Sequence, residues 1–376
     1  VTCAGLLGRS LQKLEAQDFG FQIDGRYTVN LAPSFTMIPA DRMESTYARL
    51  RERLRRIPGV VNAACSLYAP MSGDNWATLI TVDGRSPAER LQASWNRVSP
   101  DYFETIGTPV VRGRALDERD GPGAPLVTVV SQRFATRFFG DTDPIGRRIG
   151  LRRSSGEVTR DFEIVGVVGD VKYQDGRAAP YVTFFLPFLQ QTAAARRANE
   201  ASGIRLDRSH YAQAIELHTS GPVPGLEREV RRALADVDRR LTVMTLVPMD
   251  EQIARAFNLD RLIARIAVIF GATALLLACL GLYGVTAYSV TRRTREIGIR
   301  MALGASRARV LQRVVRSALV QAAFGIALGL PAAIAVGQLL RAQLFGISAL
   351  DPLVMTGALA VLGLCALVAA CIPAYR

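Results

Sequence analysis

Three stretches in the last third of the chain, residues 266–290, 317–340 and 353–373, each run for more than twenty residues without a charged side chain. A helix rises 1.5 Å per residue, so ~20 apolar residues cross the ~30 Å hydrocarbon layer of a bilayer. One such run can be a buried hairpin of a soluble protein, but three in close succession point to a membrane-embedded region. Inside lipid the backbone must satisfy its own hydrogen bonds, so each run is read as a helix.

The connections set the orientation. Between the first and second runs stand Arg292, Arg293, Arg295, Arg300, Arg307, Arg309, Arg313 and Arg316, against Glu296 alone. Short loops this basic stay on the cytoplasmic side. The next connection, 341–352, is nearly neutral, which suits the outside, and the chain then returns inward to end at Arg376. Everything before residue 266 is therefore expected outside the cytoplasm. Residues 1–7, apolar and followed by Arg9 and Lys13, read as the last turns of a further helix entering from the cytoplasm. The expected organisation is a helix end over 1–11, an extracytoplasmic domain over 12–260, and a membrane domain over 261–376.

The net charge of +13 comes almost wholly from arginine, since Lys13 and Lys172 are the only lysines. Such a balance favours anionic surfaces in general. The arginines are nevertheless scattered over helix faces, no nucleic-acid-binding pattern occurs, and the tightest cluster lies between two membrane runs. Cys3, Cys279, Cys365 and Cys371 sit in apolar segments, leaving Cys65 alone in the extracytoplasmic region, so no disulfide can form within that region.

That region carries one pattern twice. Residues 27–31 read as a strand; Met43, Tyr47, Leu50, Leu54 and Ile57 then recur at helical spacing; Pro58-Gly59 breaks the helix, and 60–68 read as a strand. Later, strand 214–219 leads to a helix with Leu226, Val230, Leu234 and Val237 on one face, then to strand 241–246. Two βαβ units over 20–74 and 211–250 can bury both helical stripes on one sheet, a ferredoxin-like α+β arrangement. An insertion over about 75–192 is strand-rich and punctuated by turns, with 126–131 leading into a short helix and 161–171 forming a β-branched run. Residues 192–210, polar and rich in alanine and arginine, read as a flexible surface excursion.

Few residues offer chemistry. No phosphate-cradling G-x-x-x-x-G-K-[ST] run, nucleophile elbow or zinc-protease motif occurs, so ATP hydrolysis is assigned to another chain. His210 and His218 lack metal-ligand spacing, and Asp117, Glu118, Asp141 and Asp143 lie in turns as solvated carboxylates. The connection 292–316 has more content. Ile297 with Met301, and Ile299 with Leu303, form apolar i,i+4 pairs beside Glu296 and Arg300, which predicts a short amphipathic helix. Gly304 can end it and Ser306 can cap the next. Arginines bound to anionic lipid explain the charge. They leave the apolar pairs unexplained, and those suit contact with a cytoplasmic partner.

The segment TREIGIRMALGAS, residues 294–306, resembles the cytoplasmic signature of MacB/FtsX-type ABC permeases, as do Leu280-Gly281-Leu282-Tyr283-Gly284, Leu344-Phe345-Gly346-Ile347 and Asp351-Pro352. The extracytoplasmic region resembles the MacB-like periplasmic core through Ser99-Pro100-Asp101-Tyr102-Phe103, Arg112-Gly113-Arg114, Asp143-Pro144-Ile145-Gly146 and Val165-Gly166-Val167-Val168-Gly169-Asp170-Val171. The nearest subgroup is the duplicated orphan (ADOP-type) permease without a fused ATPase. On that reading this is the second half, cut inside a membrane helix at Val1 and just past the last span at Arg376.

The resemblance implies a four-span α-helical permease, first span truncated, with a porter-like lobe and a β-rich inserted lobe in the periplasm. It implies an inner-membrane location and mechanotransmission, in which a separate cytoplasmic ATPase holding ATP-Mg drives export or extraction of a periplasmic substrate. The chain itself would be non-enzymatic, bind no cofactor or metal, and pair with a second permease half or a homodimer partner. The contact with the ATPase would comprise Arg295, Glu296, Ile297, Gly298, Ile299, Arg300, Met301, Leu303, Gly304 and Ala305. The alternative is an FtsX-like regulator of a periplasmic enzyme such as a cell-wall hydrolase.

Overall fold

The computed structural model describes residues 2–375 apart from 33–37, 87, 153–158, 175, 204, 293–294, 296–298, 300–306, 340–343 and 349. Two compact units result: 18–256, and 1–17 together with 257–376.

In the first unit, β1 (Arg26–Leu31), α2 (Met43–Arg55), β2 (Val60–Ser66), β10 (Ala214–Thr219), α6 (Leu226–Val237) and β11 (Val243–Pro248) make an α+β layer. The strands lie in the order β11-β1-β10-β2, every neighbouring pair antiparallel. Side chains alternate across a strand. Val29, Ile215, Leu217, Ala63 and Cys65 therefore face one way, into a core with Leu50 and Leu54 of α2 and Val230 and Leu234 of α6. The opposite face carries Thr28, Glu216, Ala64 and Ser66. Against it packs the short helix α3 (Tyr102–Ile106), with Tyr102 and Phe103 fully buried.

The insertion closes on itself. Strands β3 (Trp76–Val82), β4 (Leu91–Val98), β6 (Val127–Ser131), β7 (Arg148–Leu151), β8 (Phe162–Val168) and β9 (Thr183–Pro187) pair in the ring β4-β3-β7-β8-β6-β9-β4. This six-stranded barrel has no open edge to protect. Its core joins Ile80, Val130, Ile149, Phe162, Ile164 and Phe184 to Phe134 and Phe138 of α4 (Gln132–Phe139). A further strand, β5 (Val110–Gly113), pairs with β8 beyond the stretch used by β7. A single residue pair, Ser66 with Val98, bridges β2 of the layer to β4 of the barrel.

Residues 192–210 depart from the expected surface excursion. Ala193–Ala201 form helix α5, whose first turn is capped by Thr192 Oγ1 accepting from the Ala195 N–H at 3.0 Å. A 3₁₀ turn at Arg208–His210 buries Ser209 and His210. The alanine run has high helix propensity, and Asp207 caps the turn by accepting from the Ser209 N–H at 2.8 Å. Those two local signals outweigh the polar composition. Helix α7 (Met249–Ala256) closes the unit.

The second unit is helical: α1 (Thr2–Glu15), α8 (Asn258–Arg292), α9 (Arg307–Leu339) and α10 (Pro352–Tyr375). Among the described residues, Asn258–Arg292 and Pro352–Ala369 are long and apolar enough to cross a bilayer, and Ala323–Leu339 is a shorter apolar stretch. Each helix outruns its apolar segment: α1 continues past residue 11, α8 begins eight residues before 266, and α9 begins ten before 317. Pro331 is accommodated inside α9. The expected four-helix count rests on α1 and α9 as well as these two.

Candidate functional site

Of the ten residues expected to contact a cytoplasmic partner, the described ones are Arg295 and Ile299; both are helical and exposed, Ile299 to 63%. Glu296, Ile297, Gly298, Arg300, Met301, Leu303, Gly304 and Ala305 lie outside the described residues, as do the proposed break at Gly304 and the Ser306 cap. The helices on either side are described: α8 runs through Arg292 and α9 starts at Arg307.

At the other end of the helical unit a set of polar contacts ties α1 to its neighbours. Arg9 pairs with Asp351, and Lys13 Nζ donates to the Gly346 carbonyl at 2.7 Å. The Phe345 N–H donates to Ser10 Oγ at 2.8 Å, and Arg261 of α8 donates to Glu15 at 2.7 Å. The motif residues acquire local reasons. Gly346 turns with φ of 62°, a left-handed value suited to glycine. Asp351 caps α10 by accepting from the Leu353 and Val354 N–H groups, and Pro352 sits where a missing N–H costs nothing.

In the other unit, the phrase 99–103 lies where layer meets barrel, while 112–114, 143–146 and 165–171 gather along β8. The Ser99 N–H donates to Cys65 O at 2.9 Å and the Cys65 N–H to Ser99 Oγ at 2.8 Å, extending the single β2–β4 bridge. Asp101, at φ 64°, accepts from Arg55 of α2. Phe103 meets Phe185 edge-on at 5.0 Å, and the Tyr102 and Tyr173 hydroxyls share a hydrogen bond of 2.9 Å. Gly113 and Gly166 are partners in the β5–β8 register. A Cβ on Gly113 would lie 2.3 Å from the Val165 carbonyl oxygen, and one on Gly166 would lie 1.9 Å from that of Arg114. The two glycines thus permit one backbone approach. Asp143 turns the chain by accepting from the Ile145 N–H, and the Gly146 N–H donates to Ile164 O at 2.9 Å.

Sequence reading missed the buried polar groups at this joint. Arg97 of β4 is fully buried and donates to the carbonyls of Pro187 and Gln190 at 2.9 Å, to that of Phe188 at 3.3 Å and to Ser209 Oγ at 3.1 Å. Burial lowers its pKa to about 10, so it stays charged at neutral pH. Neighbouring His210 has its ordinary pKa lowered chiefly by burial, with Nδ1 3.2 Å from Asp207. Glu216 lies fully inside the sheet, with Ser66 Oγ donating to it at 2.5 Å. Burial raises its pKa to about 8. Strand alternation sets Glu216 opposite Ile215 and Leu217, on the face an isolated layer would leave to solvent, so the sequence carries no local signal of its burial.

The turn carboxylates are solvent-facing, Glu118, Asp141 and Asp143 exposed and Asp117 half-exposed, and two of them also pair with arginines: Asp117 with Arg119 and Arg114, and Glu118 with Arg51 at 2.8 Å. No group of three or more His, Cys, Asp or Glu side chains is placed to hold a metal among the described residues. Cys65 is free and buried, its pKa raised to about 12 by burial. At this joint the barrel meets the layer through one backbone bridge, aromatic contacts and a few buried polar groups.

Comparison with known proteins matches residues 1–233 to the MacB-like periplasmic core domain and residues 268–376 to the FtsX-like permease C-terminal family. The macrolide export ATP-binding/permease protein MacB of Neisseria meningitidis is 27% identical over 273 residues, covering 69% of this chain and 38% of that protein. The pyoverdine export ATP-binding/permease protein PvdT of Pseudomonas aeruginosa is 24% identical over 242 residues, covering 64% and 34%. This chain therefore spans less than two-fifths of the length of these curated relatives. Among solved structures, the periplasmic region of MacB from Actinobacillus actinomycetemcomitans aligns over 66% of this chain and 99% of its own, at 15% identity and a TM-score of 0.39.

Proposed function

This chain belongs to the MacB/FtsX-type ABC transporter permease family, and we propose that it serves as the membrane subunit of an exporter whose ATPase is a separate cytoplasmic chain. Movement imposed on the 292–307 connection passes along α8 and α9, and unit 18–256 responds on the periplasmic side of the bacterial inner membrane. The work done there is export or extraction of a substrate. The ATP-Mg belongs to the partner.

The observation that carries this reading is the stretch 292–316, eight arginines against one glutamate between two apolar runs. Charge of that sign holds a short loop on the ATP-bearing side. The apolar pairs Ile297–Met301 and Ile299–Leu303 supply a face that lipid attraction alone does not require. On the same reading α1 and α9 join α8 and α10 as four spans. The β11-β1-β10-β2 layer with α2 and α6 is the porter-like lobe and the barrel the inserted lobe. The partner in the membrane is a second permease half, in the same polypeptide as an ADOP-type chain would have it, or a second copy.

Charge reversal at both Glu296 and Arg300, or Ile299→Pro, tests the assignment. The expected result is loss of ATPase co-purification and of coupled ATP turnover, with membrane insertion intact. Unchanged turnover and partner recovery in these variants would remove the coupling role.

A further inference from the structure

We propose that Glu216 is a proton-operated latch between the four-stranded layer and the elements packed on its second face, α3 and the segment 171–174. The inference is independent of how the helical unit is driven.

The placement is unusual for a carboxyl. Glu216 sits mid-strand in β10, on the face turned away from α2 and α6, with 2% of its surface exposed. One oxygen accepts from Ser66 Oγ, while Oε2 has no hydrogen-bond partner. Its cross-strand neighbour on β1, Thr28, is likewise fully buried with Oγ1 unpartnered. A neutral carboxyl tolerates this pocket, whereas a carboxylate there would hold a buried charge with Ser66 as its side-chain donor and Oε2 unpartnered. Ser66 is also the residue through which β2 bridges to Val98 of the barrel, so the latch and the bridge share one side chain.

The groups facing Glu216 can be followed element by element. Ser66 comes from β2, Tyr102 from α3 and Tyr173 from 171–174, with Tyr68 edge-on to Tyr173 at 5.3 Å; Cys65 lies next to Ser66 on the other face of the sheet. Burial raises the thiol to about 12 and the Tyr102 and Tyr173 phenols well above their usual range, so all stay neutral. On the same strand, His218 is lowered by burial and by Arg26, with Glu104 opposing, and is neutral above its ordinary 6.5. Glu216, raised from 4.5 to about 8 by burial, is therefore the member of this cluster that titrates through neutral pH.

The sign follows from proton linkage. The closed joint binds the Glu216 proton more tightly than an opened, hydrated joint does. Opening is therefore rarest in acid, grows as pH rises from 4.5, and levels off near 8. In that window the open population rises by up to about tenfold per pH step of one.

Hydrogen exchange on the full chain in detergent, from pH 5.5 to 9, tests this. For peptides covering 98–106 and 171–174, the wild-type rate divided by the Glu216→Gln rate cancels the intrinsic pH dependence of exchange. That ratio should climb through neutral pH and flatten near 8, with these peptides exchanging faster than β1. Ser66→Ala removes a donor that favours the ionised form, so its plateau should move to higher pH; this arm stands alone if the Gln variant fails to fold. A flat ratio, an unmoved plateau in Ser66→Ala, or joint peptides that exchange only at the β1 rate would overturn the latch.

Discussion

Replacing Gly166 by alanine places a Cβ 1.9 Å from the Arg114 carbonyl oxygen and 2.9 Å from its carbon. Both obstacles are backbone, so no rotamer change relieves them. Real Cβ atoms essentially never approach closer than 3.0 Å, so β5 must retreat from β8 by about 1 Å. That retreat strains the Arg114 N–H bond to Val165 O, now 3.0 Å, and the β5–β8 pairing at Val110–Gly113. Overpacking of this kind costs about 1–3 kcal/mol and a weakened hydrogen bond about 1 more, so the expected loss is about 3 kcal/mol. Gly169 supplies the control. Its added Cβ would meet Pro109 Cδ at 3.4 Å and Thr108 Cγ2 at 3.5 Å, ordinary contact distances. Alanine there also restricts the unfolded chain, so its effect should lie between nothing and a gain of about 1 kcal/mol. Both tryptophans, Trp76 and Trp95, are barrel residues in edge contact at 5.6 Å. Urea unfolding of the detergent-solubilised chain followed by their fluorescence therefore reports on this unit alone. A Gly166→Ala loss below about 1 kcal/mol, or equal damage from Gly169→Ala, would refute the close-approach argument.

Arg97→Met removes the donor shared by the carbonyls of Pro187, Phe188 and Gln190, and should cost about 3 kcal/mol in the same urea experiment. Phe184→Ala empties the barrel core and should cost about 3–5 kcal/mol, read as a lowered fluorescence midpoint. Asp351→Ala removes the α10 cap and leaves Arg9 without its carboxylate; a loss of about 1 kcal/mol should appear as a lower thermal midpoint in detergent.

Periodicity found much of this structure. The stripes Met43-Tyr47-Leu50-Leu54 and Leu226-Val230-Leu234 are helices packed in one core, because a 3.6-residue repeat of large apolar groups has no other way to hide. Barrel closure was not legible: the pairings of β4 with β9 and of β6 with β8 join residues far apart in sequence, and no local signal encodes register. The helical character of 193–201 is obscured in the sequence because its polar composition is more conspicuous than the single Thr192 cap. Motif glycines were visible as letters only. Gly113 and Gly166 serve one close approach only because the fold lays β5 beside β8. The buried charges were the hardest to foresee. Arg97 and Glu216 are ordinary polar positions in sequence, and their depth follows from elements far away in the chain, 187–190 and Ser209 over Arg97, α3 and 171–174 over Glu216.

Helix α8 is 35 residues long and has no proline anywhere in it. At 1.5 Å per residue it is a bar about 52 Å in length, against a hydrocarbon thickness of about 30 Å. With no proline to interrupt its hydrogen-bond ladder, α8 has no proline hinge between Asn258 and Arg292, so where α9 carries Pro331, α8 is the stiffer of the two helices.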